Sequence, residues 1–285
     1  ITENCYNCSR QKQIPIFCSR IYPAKKLLAL NGLPVLHGVR FRARHWQKAL
    51  GYFMRLPKPA IVTSLHPHQY ESYLVNDEEE LRCVWKRARK TGASRLLIEE
   101  YFKCWNVLVA VVAGKAVGEL IVEPLGICGD GISTIEQLIE KKNKERVLNP
   151  WYKENPIITE DCLKHRLKLM DKDLVTVLAK GKHILLESPV GLEYGGETTS
   201  IQGLLHGDFR EKAVQTVSAI PGLEFAFVQL LIPDPGKAAE GQRWAVYKID
   251  TRPATAAFHY PGRGRPCEIA NMVVSAELTH IATNP

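Results

Sequence analysis

No apolar run in this 285-residue chain is long enough to span a bilayer, which excludes a helical membrane anchor within it. Internal repeats and low-complexity tracts are absent as well, so nothing points to a repeat array or a biased tail. Cysteine is too sparse for a small disulfide scaffold. The eight are scattered, and they read as reduced thiols of a cytoplasmic protein. A basic stripe interleaved with aromatics is also missing, although the net charge is +8. Such a balance can draw nucleic acid, anionic membrane or acidic polymers, but charge spread this evenly reads first as a solvated surface. What is present is ordinary: 45% apolar and 24% charged residues, enough to build one large domain or two lobes around a cleft.

The chain opens on Ile1 rather than Met, which leaves room for a removed leader or for trimming. Cys5-x-x-Cys8 is followed by a lone Cys18, without the second close pair that zinc wants. Only an unusual path through Cys18 and His37 would complete a metal set, so residues 1–22 read as an irregular segment. Beyond them, residues 24–30 and 43–54 read as helices, and 34–39, 60–65 and 72–75 as strands. Asn76 and Asp77 cap a helix with acids in its first turn and bases in its last. Farther on, 158–169, 174–178, 211–220 and 266–278 read as helical. Residues 184–186, 225–232 and 244–249 read as strands, and 141–155 as a polar surface excursion.

Residues 96–140 organise the rest. A strand over 96–98 stops at the adjacent acids Glu99 and Glu100. Two strands follow, 106–113 and 116–122, with Gly114-Lys115 between them as a tight turn. A glycine-bounded loop, 126–131, then leads to Ser133-Thr134-x-Glu136, a capping-box pattern ahead of Ile135, Leu138 and Ile139.

That order, with the motifs IEEYF, GDGISTIEQLIEKKN and YGGETTSI, resembles the ATP-grasp ligases, and among them cyanophycin synthetase and related peptide ligases. The resemblance covers most of the chain, from about Lys25 onward. It implies an α+β ATP-grasp fold, two α+β lobes with a cleft between them: a smaller lobe over 23–103 and a larger one over 104–285 that carries the GDG insertion. It implies that relatives have a domain ahead of this one and often associate. It also implies the chemistry, in which ATP phosphorylates a carboxylate and an amine displaces the phosphate. That needs lysines, a mobile glycine-rich loop, and magnesium held by carboxylates. Glu99, Glu100, Tyr101 and Phe102 would line the adenine side, and Asp250 would hold metal.

Several positions depart from the pattern. The strand lysine expected after AIV falls on Thr63 or Ser64, and the glycine-rich lid is LHPHQYES. The ribose acid and hairpin arginine fall on Cys104 and Asn106. The strand acid falls on Gln229, and a Glu-x-Asn pair becomes Asp250-x-Arg252. An arginine and an asparagine expected near the small-residue loop fall near Ser188 and Gly191. A hydrogen bond to a charged group is worth about 1.5–3 kcal/mol, so four lost contacts amount to about 6–12 kcal/mol if additive. That is roughly four to eight decades of affinity.

The expectation is a catalytically inactive scaffold that binds, partnering an active ligase paralogue or forming a homo-oligomer. It would hold ATP and magnesium only if an alternative, an active ligase on substituted residues, is right. A weaker alternative is binding of an acidic polymer or nucleic acid through Arg243, Arg252, Arg263 and Arg265. Lys25 and Lys26 read as a solvated helix face, Glu99 and Glu100 as an exposed strand end, and His66 and His68 as too weak a pair for metal. The GDG loop reads as structural, with Asp130 and Ser133 satisfying backbone groups at a helix start.

Overall fold

The computed structural model describes residues 17–18, 20–66, 70–154, 156–157, 163–164, 167–168, 170–186, 196–251 and 255–283. Cys5, Cys8, His68, Ser188, the glycine loop over 191–195 and Arg252 lie outside them.

Four strands form the smaller sheet: β1 (Gly38–Arg42), β2 (Ala60–Leu65), β3 (Tyr70–Val75) and β4 (Arg95–Glu100). They run antiparallel in the order β1-β4-β2-β3. Alternation sends Phe41, Val62, Val75, Leu96 and Ile98 to one face. There they meet Ala49 and Phe53 of α2 (Trp46–Phe53) and Leu81, Trp85 and Ala88 of α3 (Glu78–Lys90). Asp77 caps α3 by accepting the Glu80 N–H at 2.9 Å. Glu78, Glu79 and Glu80 in its first turn and Arg87, Arg89 and Lys90 in its last complement the helix dipole.

The larger sheet contains β5 (Trp105–Val112), β6 (Lys115–Glu123), β9 (Glu197–Ser200), β10 (Phe225–Ile232) and β11 (Ala245–Asp250), in the order β11-β10-β5-β6-β9. β10 is buried at every position, as an inner strand covered on both faces must be. Val107, Val109, Val228 and Leu230 pack under Phe209, Ala213 and Val217 of α6 (Gly207–Ser218) and Leu28 of α1 (Ile21–Leu30). On the other face Leu108, Ala110 and Phe227 meet Phe258 of α7 (Ala256–His259) and Ile269 and Val273 of α8 (Ile269–Thr283). A further core, with Leu125, Ile135, Leu138 and Ile184, holds the pair β7 (Gly126–Cys128) and β8 (His183–Leu185) against α4 (Ile135–Arg146), which is followed by the short α5 (Pro150–Lys153).

Several local expectations shift. The hairpin turns on Ala113-Gly114 rather than Gly114-Lys115, because Val112 already pairs with Lys115. Both turn residues have positive φ, 47° and 73°, as a two-residue hairpin matching strand twist requires. Alanine in that region carries a steric cost of about 1–2 kcal/mol. Ala113→Gly is therefore expected to raise stability by about 1 kcal/mol, read as a higher urea midpoint with an unchanged slope.

The capping box is Thr134 with Gln137, one residue beyond the expected Ser133 with Glu136. Ser133 is spoken for instead by Asp130. Residues 141–146 continue α4 rather than starting an excursion, since their i, i+4 lysines and glutamates suit a helix. The stretch 34–39 is strand only from Gly38, with Val35 making an isolated bridge to Val246. Residues 174–178 are not helical; Thr176 binds Asp173 in a turn and Val177 bridges Thr134.

Candidate functional site

The two sheets meet where β4 hands over to β5. The face of the smaller sheet opposite its helices presents Ile61 and Leu74, and the larger sheet presents Leu231, Ala245 and Tyr247. These side chains pack together with Leu36, and Tyr101, Phe102 and Cys104 of the connecting segment close around them. Ile61 is fully buried and Tyr247 is 2% exposed. The expected cleft is thus lined by side chains that touch one another across it.

At its base lies a buried ion pair. Lys25 of α1 donates to Glu99 at the end of β4, and the two side chains are 7% and 1% exposed. The ammonium also sits 4.7 Å from the centre of the Tyr247 ring. Burial raises the Glu99 carboxyl above its ordinary range and lowers the Lys25 ammonium, each opposed by its partner's charge. Among the described residues Glu99 Oε2 has no hydrogen-bond partner. The Tyr247 hydroxyl donates to Ser72 Oγ at 2.8 Å, and Ser72 Oγ lies 3.0 Å from Thr63 Oγ1. Burial, then the Glu99 charge, pushes the Tyr247 phenol up. Lys25 is therefore not a solvated helix residue, and Glu99 is not an exposed strand end. Gly38 makes the arrangement possible: a Cβ there would lie 2.4 Å from Glu99 Cγ.

The other expected residues are placed nearby. Glu100 pairs with Arg243 at 2.5 Å, and that guanidinium lies 4.7 Å from the centre of the Phe102 ring. Arg243, itself exposed, is thereby tied to this junction. Burial pushes the Cys104 thiol up to about 11, so at neutral pH it is protonated and a poor nucleophile. Asn106 and Gln229 come together: Gln229 Nε2 donates to Asn106 Oδ1 at 2.8 Å. Lys248 stands opposite Gln229 across the ladder, and Asp250 stands opposite Phe227. His66 contacts Thr91 at 3.4 Å. Arg263 reaches Glu123 at 3.8 Å.

Among the described residues this donor set does not fit magnesium. Magnesium wants converging hard oxygens. Here two amides are bonded to each other, a lysine faces them, and one carboxylate sits at the strand end. Among the described residues no three His, Cys, Asp or Glu side chains are grouped to hold a metal ion. Thr63 and Ser64, where a phosphate-binding lysine was expected, are fully buried.

Sequence reasoning missed Lys25, Tyr247 and Lys248. The signal for Lys25 was there, because it falls with Ile21, Ala24 and Leu28 on the buried face of α1. Nothing local marked Tyr247 or Lys248; sheet register alone brings them to the junction.

The GDG loop is a self-contained turn. Asp130 accepts the N–H groups of Ser133 (2.7 Å) and Ile132 (2.9 Å) and the Ser133 hydroxyl (2.7 Å). Those bonds, Ser133 first, hold its carboxyl down at about 2. A depressed carboxylate contributes stability above its ordinary value near 3.8, and the contribution is lost as pH falls through about 2. An NMR titration should place Asp130 near 2 and, in Ser133→Ala, closer to 3.8.

No family model matches the chain. Among curated proteins it is similar to the glutathione biosynthesis bifunctional protein GshAB of Clostridium perfringens, 25% identical over 173 residues, which cover 60% of this chain and 22% of that protein. It is also similar to the cyanophycin synthetase of Geminocystis herdmanii, 25% identical over 207 residues, 70% of this chain and 23% of that one. The chain thus spans under a quarter of either relative. Among solved structures it superposes on a bifunctional glutathione synthetase from Pasteurella multocida with a TM-score of 0.59 at 16% identity, covering 96% of this chain and 38% of that one. It superposes on the ATP-grasp ligase PsnB with a TM-score of 0.51 at 9% identity, covering 96% of this chain and 63% of that one. The architecture is the α+β ATP-grasp fold.

Proposed function

We propose that this ATP-grasp chain, which resembles cyanophycin synthetase and GshAB, is a non-catalytic scaffold whose nucleotide cleft its own side chains close. Its role is binding, as a partner of an active ligase or of further copies of itself. One observation carries the reading: Leu36, Ile61, Leu231, Ala245 and Tyr247 are buried against one another at the junction of the two sheets, over the Lys25–Glu99 pair. Ligand sites are usually preformed concavities with a few aimed polar groups. Here the polar groups are partly spent on one another, Lys25 on Glu99 and Gln229 on Asn106.

The second reading, an active ATP-dependent carboxylate–amine ligase, draws on Asp250, which keeps a carboxylate at the end of β11. One assay separates the two. ADP release is measured across a panel of amino acids and short peptides, with intact chain and with Asp250→Ala. The scaffold reading expects no release above background. Amino-acid-dependent release that disappears in Asp250→Ala would replace it with the ligase reading.

A further inference from the structure

A row of cations runs out from the junction along the outer strand of the smaller sheet. β1 is the edge strand, and among the described residues nothing pairs beyond it. Arg40 and Arg42 are two apart, so they share a face, the one opposite Phe41 and the helices. Arg42 stands directly across the ladder from Arg95. Like charges so placed repel. All three are exposed, as is Lys26 of α1. Arg40 and Lys26 contact the ring of Tyr22, at 4.6 and 5.1 Å from its centre, and none of the four cations is ion-paired among the described residues. The two acids at the end of β4 are taken, Glu99 by Lys25 and Glu100 by Arg243. Among the described residues the sheet therefore carries an uncompensated positive edge whose outward main-chain groups, those of Gly38 and Arg40 and the Arg42 N–H, have no strand partner, while the Arg42 carbonyl accepts the His45 N–H at 2.8 Å.

We propose that β1 is the docking edge for an extended acidic peptide segment, which adds to the smaller sheet as a further strand with carboxylates at alternate positions facing Arg40 and Arg42. Side chains two apart on a strand are about 6.6 Å apart on either partner, so every second residue of an acidic strand meets a guanidinium. Edge N–H and C=O groups supply the main-chain bonds of strand addition, and charge supplies the selection. A second copy of this chain is a poor occupant, because edge-to-edge pairing would set arginine against arginine. Single-stranded nucleic acid fits less well. It needs open aromatic faces for base stacking, and the ring here, Tyr22, is already held by two cations.

The test uses the full chain and fluorescence anisotropy with a short labelled peptide alternating glutamate and threonine. Its glutamine–threonine counterpart and a labelled single-stranded oligonucleotide of equal charge serve as competitors of other classes. Binding of the acidic peptide should weaken with added salt and fall at least about ten-fold in Arg40→Glu/Arg42→Glu, while Lys144→Glu, exposed on α4 of the larger lobe, leaves it unchanged. Methylating the peptide backbone nitrogens on the side that faces β1 should cost a similar factor, because strand addition needs those donors. Equal binding of the neutral peptide, retained binding by the double variant or by the methylated peptide, or tighter binding of the oligonucleotide would overturn the proposal.

Discussion

Methionine in place of Lys25 is expected to destabilise the chain by about 3–5 kcal/mol, because it strands Glu99 as a buried charge without a partner. Glu99→Gln should cost less, about 1–3 kcal/mol, since the amide is neutral but leaves the ammonium poorly satisfied. The double replacement Lys25→Met/Glu99→Leu should recover most of the loss, because neither charge is then left in a dry site. The pH response gives the sign. In Lys25→Met the Glu99 carboxyl, already raised by burial, rises further once its cation is gone. A group raised in the folded state is favourable while protonated and loses that contribution as pH climbs through its folded value. The single variant should therefore regain stability as pH falls from neutral toward about 5. Urea unfolding of the three variants checks this; a Lys25→Met cost within about 0.5 kcal/mol would mean the pair is solvated.

Removing the Tyr247 side chain should be comparably damaging. Its ring fills the space between the sheets and covers the Lys25 ammonium, so Tyr247→Ala is expected to cost about 3–5 kcal/mol, as truncation of a large buried aromatic does. Tyr247→Phe removes only the bond to Ser72 and should cost about 1 kcal/mol. The contrast separates packing from hydrogen bonding. If both variants unfold near the parent's midpoint, the ring is not what joins the two sheets.

Much of the fold was legible in the sequence, because periodicity and end signals agree there. β2, α3, β5, β6 and β10 follow from alternation, from the Asp77 cap, or from long β-branched runs. Where turn chemistry competes, reading by residue type slipped. Ala113 takes a positive φ that glycine would take more readily, and the helix cap moved by one residue because Ser133 is engaged by Asp130. The site was legible in a different way. The replaced residues were visible one by one, and the structure brings Asn106 and Gln229 into a single hydrogen bond. What stayed hidden depends on distant segments. Lys25 and Glu99 lie 74 positions apart, and only the packing of α1 on β11, with Gly38 making room, brings them together.

If the proposed scaffold reading holds, the space between the lobes is filled by protein and takes no nucleotide. Calorimetric titration of the chain with Mg-ATP decides it. No saturable heat up to about millimolar nucleotide is the predicted result, and binding at about micromolar concentration would contradict it.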